Sequence, residues 1–336
     1  MAAVLSDKAK AAELPRELIR KVLLIALCAF VVYGVVVAVA DFRAIAASLH
    51  RLPARRVLLA LALASVSFGL RFARWQFYLR TLDIHIPASS SALIFTSGLG
   101  MSVTPGKAGE ALKALMLQRV SATPVARSLP IVAAERVTDL MALLLLGGLG
   151  LLGTRLGALA LALVLPALAA LALVLGSRRA GAWTIALACR VDFVARQRER
   201  LISAHEALLE LCTPARLLQA CGLALLAWMV HGLCLLSIAN VFEGVSLSVG
   251  QAMVTNAAPL LAGALAMLPG GLGLTEASTA GALIAFGDAS LTPAIAAAIT
   301  LVVRVITLWY AVALGLAALA FWHVRGVQSR TRGAES

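Results

Sequence analysis

Nine ionisable residues stand inside or beside stretches that are otherwise apolar: Arg71, Arg74, Lys107, Glu110, Glu135, Arg136, Asp139, Glu276 and Arg304. Glu135 and Asp139 are four positions apart, which puts both carboxylates on one face of a helix. A charge at the centre of a bilayer costs about 2.5–3.5 kcal/mol even on the mildest scale, so each of these groups needs a partner or a wet cavity. One reading is structural, with Arg136 or Arg304 paired to Glu110, Glu276 or Asp139 to lock helices together. The other is chemical. Several guanidinium groups gathered in one place suit an anion, above all phosphate, through bidentate hydrogen bonds. The carboxylates could then hold the arginines, receive a cationic group or carry protons, and the sequence leaves these roles open.

Two interruptions would position the charges. "TPGKAGE" (104–110) contains Pro105, Gly106 and Gly109, and "LPGGLGLTEAS" (268–278) contains Pro269, Gly270, Gly271 and Gly273. Proline ends a helix, and glycine lets the backbone turn and approach a ligand. The N-termini of helices restarted after such breaks also favour anions. A phosphate-binding P-loop ending at Gly106-Lys107 would need glycine at 101 and serine or threonine at 108; Met101 and Ala108 exclude it. No nucleophile–base arrangement is recognisable, so no catalytic residue is assigned. The five cysteines and five histidines show no paired metal spacing, and neither a metal nor a cofactor is expected.

The elements around these residues are apolar helices. Hydrophobic residues make up 61% of the 336 and charged residues 13%, about half the share of a soluble domain. Runs at 22–40, 57–79, 130–150, 156–176, 217–239 and 293–321 read as membrane spans. The regions around Pro105 and Pro269 read as re-entrant hairpins or broken helix pairs, tolerated only where protein or water covers their backbone. The expected fold is therefore an all-α, polytopic bundle of about six spans and two hairpins. A net charge of +13 then points to anionic headgroups and cytoplasmic loops rather than to nucleic acid. A cytoplasmic N-terminus places most basic residues inside, including Lys113, Arg119 and the arginines of a connector at 177–216. The segment 41–56 reads as an amphipathic helix on the outer surface. Trp75, Trp183, Trp228, Trp309 and Trp322 read as interfacial anchors.

An internal repeat is legible. "RVTDLMALLLLG" (136–147) aligns with "RVITLWYAVALG" (304–315), Thr123-Pro124 matches Thr292-Pro293, and each Pro-Gly break precedes a glutamate, Glu110 or Glu276. Three spans separate the breaks, and an odd number inverts the second copy. The expected layout is a cytoplasmic segment 1–21, one membrane domain 22–323 and a cytoplasmic tail 324–336. Within the domain, repeat one covers about 57–176, the connector 177–216 and repeat two about 217–323. Inverted repeats with paired broken helices are the architecture of many transporters, whose substrate site lies between the breaks.

"RFARWQFYL" (71–79), "TPGKAGEALKALML" (104–117), "ERVTDL" (135–140), "LPGGLGLTEAS" (268–278) and "RVITLWY" (304–310) occur in that order. Together they resemble the lysylphosphatidylglycerol synthase transmembrane, or flippase-like, family over roughly residues 23–322. The resemblance implies a bacterial inner-membrane protein that moves or handles lipids with polar heads. In bifunctional relatives a soluble aminoacyl-tRNA-dependent transferase follows, and with Ser336 as the last residue aminoacyl transfer is not expected. The leading expectation is translocation of a polar-headed, phosphate-bearing lipid, by facilitated or ion-coupled movement. A lipid-modifying membrane enzyme and a non-catalytic scaffold for lipid-biosynthesis enzymes are the alternatives. The lipid's identity and any homo-oligomer stay open.

Overall fold

The computed structural model describes residues 52–104, 109–152, 154–190 and 195–334, without the side chains of 156 and 325–334. The expected first span, nearly all of the amphipathic segment, the N-terminal segment and Pro105, Gly106 and Lys107 lie outside the described residues. The described chain is helical without strands, a polytopic bundle.

Most starts and stops follow from local chemistry. Proline precedes α1 (Ala54–Thr81), α2 (Ala88–Leu99) and α4 (Val125–Gly150). Thr154 caps α5 (Arg155–Leu175) by accepting from the Gly157 amide at 3.0 Å. Ser177 caps α6 (Arg178–Ala188) likewise. Helix α7 (Arg198–Leu211) completes the connector, and α8 (Pro214–Ala239) starts on a proline at its first turn. Ser248 and Gln251 form a capping box at the head of α9 (Val249–Leu265). The second break follows, then α10 (Leu274–Phe286) and α11 (Pro293–Arg304), which Thr292 caps. A π turn at Val305–Trp309 carries α11 into α12 (Tyr310–Ala334).

The runs expected at 57–79, 130–150, 156–176, 217–239 and 293–321 each coincide with one continuous helical stretch. Among the described residues, four helical stretches are long and apolar enough to cross a membrane: Ala54–Thr81, Gly157–Leu175, Pro214–Ala239 and Pro293–Val324. Helix α4, 26 residues long, is continuous, but its apolar run is broken by Glu135, Arg136 and Asp139. Before residues 105–108 stand α2 and a 3-10 turn at Gly100–Val103, and α3 (Leu112–Ser121) follows them; at the second break a 3-10 turn at Pro269–Gly271 joins α9 to α10. At 1.5 Å per residue the 12 residues of α2 reach about 18 Å, too little to cross a hydrocarbon core of about 30 Å alone.

Packing is reciprocal. The long helices α1 and α8 pair, α9 packs on α4, and α12 packs on α2. Small residues let these backbones close up. Ala60 and Ala64 of α1 are fully buried, and the Ser67 hydroxyl donates to the Ala227 carbonyl of α8 at 2.9 Å. At the α2–α12 contact, a methyl group on Gly315 would sit 2.0 Å from the Gly100 nitrogen. At the α4–α9 contact, one on Gly150 would sit 2.5 Å from the Gly250 carbonyl oxygen. Neither interface admits a side chain at its glycine. Two apolar clusters flank the centre, one around Trp75, Leu79, Met116 and Ile131, the other around Phe68, Ile238 and Ile299. The charges lie between them.

Candidate functional site

The second break owes its shape to glycine. Gly270, Gly271 and Gly273 have φ of 60°, 69° and 84°, in the left-handed region that costs other residues roughly 1–2 kcal/mol. The turn brings Glu276 back onto its own helix start, where its Oε2 accepts from the Gly273 amide at 2.7 Å. Its Oε1 accepts from Arg304 Nε at 2.6 Å, and Arg304 Nη2 donates to the Gly270 carbonyl at 2.6 Å. Both side chains are below 10% exposed. The amide that sequence reasoning offered to a ligand's anion is thus taken by Glu276.

At the first break, the Thr104 hydroxyl donates to the Met101 carbonyl at 2.7 Å and accepts from the Gly109 amide at 2.8 Å. Glu110 Oε2 then meets Arg136 Nη2 at 3.0 Å and Lys113 Nζ at 3.5 Å. Lys113 also pairs with Glu135. Arg136 reaches Asp139 Oδ2 at 3.3 Å, and Asp139 Oδ1 accepts from Arg74 at 2.8 Å and from the Trp228 indole at 3.0 Å. Arg74 donates its other terminal nitrogen to Thr138 at 2.9 Å. Arg71 lies 4.0 Å above the Trp228 ring.

The two breaks meet. A Cβ on Gly270 would lie 3.5 Å from Cα of Val103, the residue before Thr104. Around that contact opens a cavity lined by Arg71, Arg74, Glu110, Glu135, Arg136 and Arg304, with Lys113 and Trp228. Asp139 and Gly271 line an adjoining cavity that shares Arg136 and Gly270. Glu276 stands behind Arg304, and Gly109 and Gly273 shape the backbone at either tip. Every described member of the expected set therefore belongs to one constellation; Lys107 lies outside the described residues.

Three residues correct the sequence reading. Lys113, counted among the cytoplasmic positive charges, is buried between two carboxylates and beneath the Trp75 ring at 5.0 Å. Its spacing of three from Glu110 was the available signal. Trp228, read as an interfacial anchor, is buried in the middle of α8 and bridges Asp139 and Arg71. Its place halfway along an apolar run was the clue. Trp75 too is wholly buried, donating to Ser91 at 3.0 Å. Sequence reasoning also missed His231, which shares a 2.8 Å hydrogen bond with Asn256, and the threonines Thr255, Thr279, Thr300 and Thr307 of the same lining.

A bundle of apolar helices with a glycine-shaped break facing a charged centre defines a polytopic membrane protein. The profile of the family described as "Lysylphosphatidylglycerol synthase TM region" matches residues 21–315, and the chain belongs to that family. No curated protein matches it. The family places the chain among membrane proteins connected to lipid handling.

Proposed function

We propose that the protein translocates a polar-headed, phosphate-bearing lipid between leaflets. The contact of both breaks at one charged cavity, inside a bundle whose outer helices are apolar, supports this best. The head enters the cavity, where Arg71, Arg74 and Arg136 attract the phosphate, while Glu110, Glu135, Asp139 and Glu276 hold the cations in place. Arg304 serves chiefly to fix the second break. The repeats cover about 57–176 and 217–323 with the connector 177–216 between them, and the second repeat is inverted. Both termini are cytoplasmic and the membrane is the bacterial inner membrane. The recurring order of long helix, hairpin, Thr-Pro and long helix supports the repeat, as does the exchange of packing between α9 with α4 and α12 with α2. Purified protein in vesicles should speed the exchange of labelled phospholipids between leaflets. Unchanged exchange across a broad lipid panel, with the protein folded, would overturn the reading.

A further inference from the structure

The charged cavity continues into an apolar one. Arg136, Trp228, Leu260, Gly270 and Thr275 line both. Beyond them the walls are Leu143 of α4, Leu261 of α9, and Leu265 and Met267 at the end of that helix. Leu265 is 81% exposed, so the groove opens on the flank of the bundle between α4 and α9. A passage of this kind has a polar end and an apolar end, joined at Arg136 and Trp228.

The polar end is incomplete. Arg74, Arg136 and Arg304 each have a carboxylate. Arg71 differs: its Nε and Nη2 are buried and have no hydrogen-bond partner among the described residues, while its plane rests on Trp228. A buried guanidinium donor left without an acceptor is a standing cost that an incoming anion would relieve. The indole holds Asp139 by its N–H and Arg71 by its ring face. That arrangement fixes the guanidinium without neutralising it.

We infer that one lipid molecule fills both cavities, its phosphate on Arg71 and one hydrocarbon chain in the groove between α4 and α9, so that lipid arrives sideways through that groove. The inference rests on the translocation reading and adds the route of arrival and the residue that reads the phosphate. Hydrocarbon in a groove of leucine and methionine displaces nothing that needs a hydrogen bond, and the phosphate supplies the acceptor that Arg71 lacks. A free phosphate ion would satisfy Arg71 equally but would leave the groove unused.

The test uses the full chain in phosphatidylcholine vesicles with a minor fraction of phosphatidylglycerol bearing a diazirine on one acyl chain. After illumination, label should concentrate on peptides of α4 and α9 that carry Leu143, Leu261 and Leu265. Leu261→Trp, and Leu265→Trp at the exposed mouth should the first variant misfold, should abolish that label. Arg71→Ala should reduce it about tenfold, as loss of a charged hydrogen bond predicts. Leu163→Trp, on the outward face of α5, should leave it unchanged. A diacylglycerol probe with the same diazirine should label the groove less, and inorganic phosphate should not compete. Label no denser in the groove than on α5, label that survives a folded Leu261→Trp or Leu265→Trp, or loss of label to inorganic phosphate would each overturn the inference. Leaflet exchange separates the two readings. Wild-type exchange in the groove-filled variant sinks the groove and spares translocation. Groove labelling of the predicted pattern without exchange sinks translocation and spares the groove.

Discussion

At the second break Glu276 joins Arg304 and the backbone of its own turn, whereas at the first Glu110 divides itself between Lys113 and Arg136. The residue types match, yet the surroundings do not. Arg304 is below 10% exposed and bonded to a carboxylate and a carbonyl at once; the Arg136 side chain is 32% exposed and shared between Glu110 and Asp139. One pair is a clasp that fixes a turn. The other belongs to a chain of exchangeable contacts, Glu135 to Lys113 to Glu110 to Arg136 to Asp139 to Arg74. The same two residue types can thus serve as fastener or as contact surface, according to how many rivals compete for each carboxylate. On the proposed function, the ligand-facing role falls to the first break.

That contrast is open to direct attack. Arg304→Ala should cost about 3–5 kcal/mol, because it strands Glu276 in the interior. The unfolding midpoint in detergent measures it, and Arg304→Lys should recover only part, since an ammonium cannot reproduce the fork that joins Glu276 to Gly270. Next come the reciprocal glycine contacts. Gly315→Ala and Gly150→Ala should each destabilise by about 1–3 kcal/mol, by forcing backbones apart at the α2–α12 and α4–α9 interfaces. If only one does, the exchange of packing between the halves is less even than drawn. Trp228→Phe should cost about 1–2 kcal/mol through loss of the indole N–H to Asp139, while the ring stays beneath Arg71. Arg136→Ala should cost least, about 1 kcal/mol, because Glu110 keeps Lys113 and Asp139 keeps Arg74. Its effect on leaflet exchange should nonetheless be the larger one, a loss of about tenfold, as expected of a contact to phosphate. Equal stability losses for Arg136→Ala and Arg304→Ala would erase the distinction.

Much of this was legible before any coordinates. An apolar run of about twenty residues has few alternatives to a span, so the long helices were readable. An arginine such as Arg304 inside one must find a carboxylate or a cavity, which is why Glu276 stood, with Glu110 and Asp139, among its expected partners. The second Pro-Gly break was readable because few residues tolerate the turn that Gly270, Gly271 and Gly273 make. What could not be read depends on tertiary placement. Lys113 sits in a stretch so rich in charge that hydropathy treats it as a loop. Trp228 is a residue type that suits both an interface and a core, and only the neighbouring Arg71 and Asp139 decide between them. That Arg71 would be the arginine left without an acceptor is a matter of which carboxylate each cation reaches first, and no pattern along the chain encodes it.

The central claim is that the two breaks touch inside the bundle. Val103→Cys combined with Gly270→Cys, in protein otherwise free of cysteine and oxidised in native membranes, measures that contact. A Cβ at 270 within 3.5 Å of the Val103 Cα puts the pair within disulfide range, so an intramolecular cross-link should form rapidly. Folded protein in which that pair stays reduced would contradict the account.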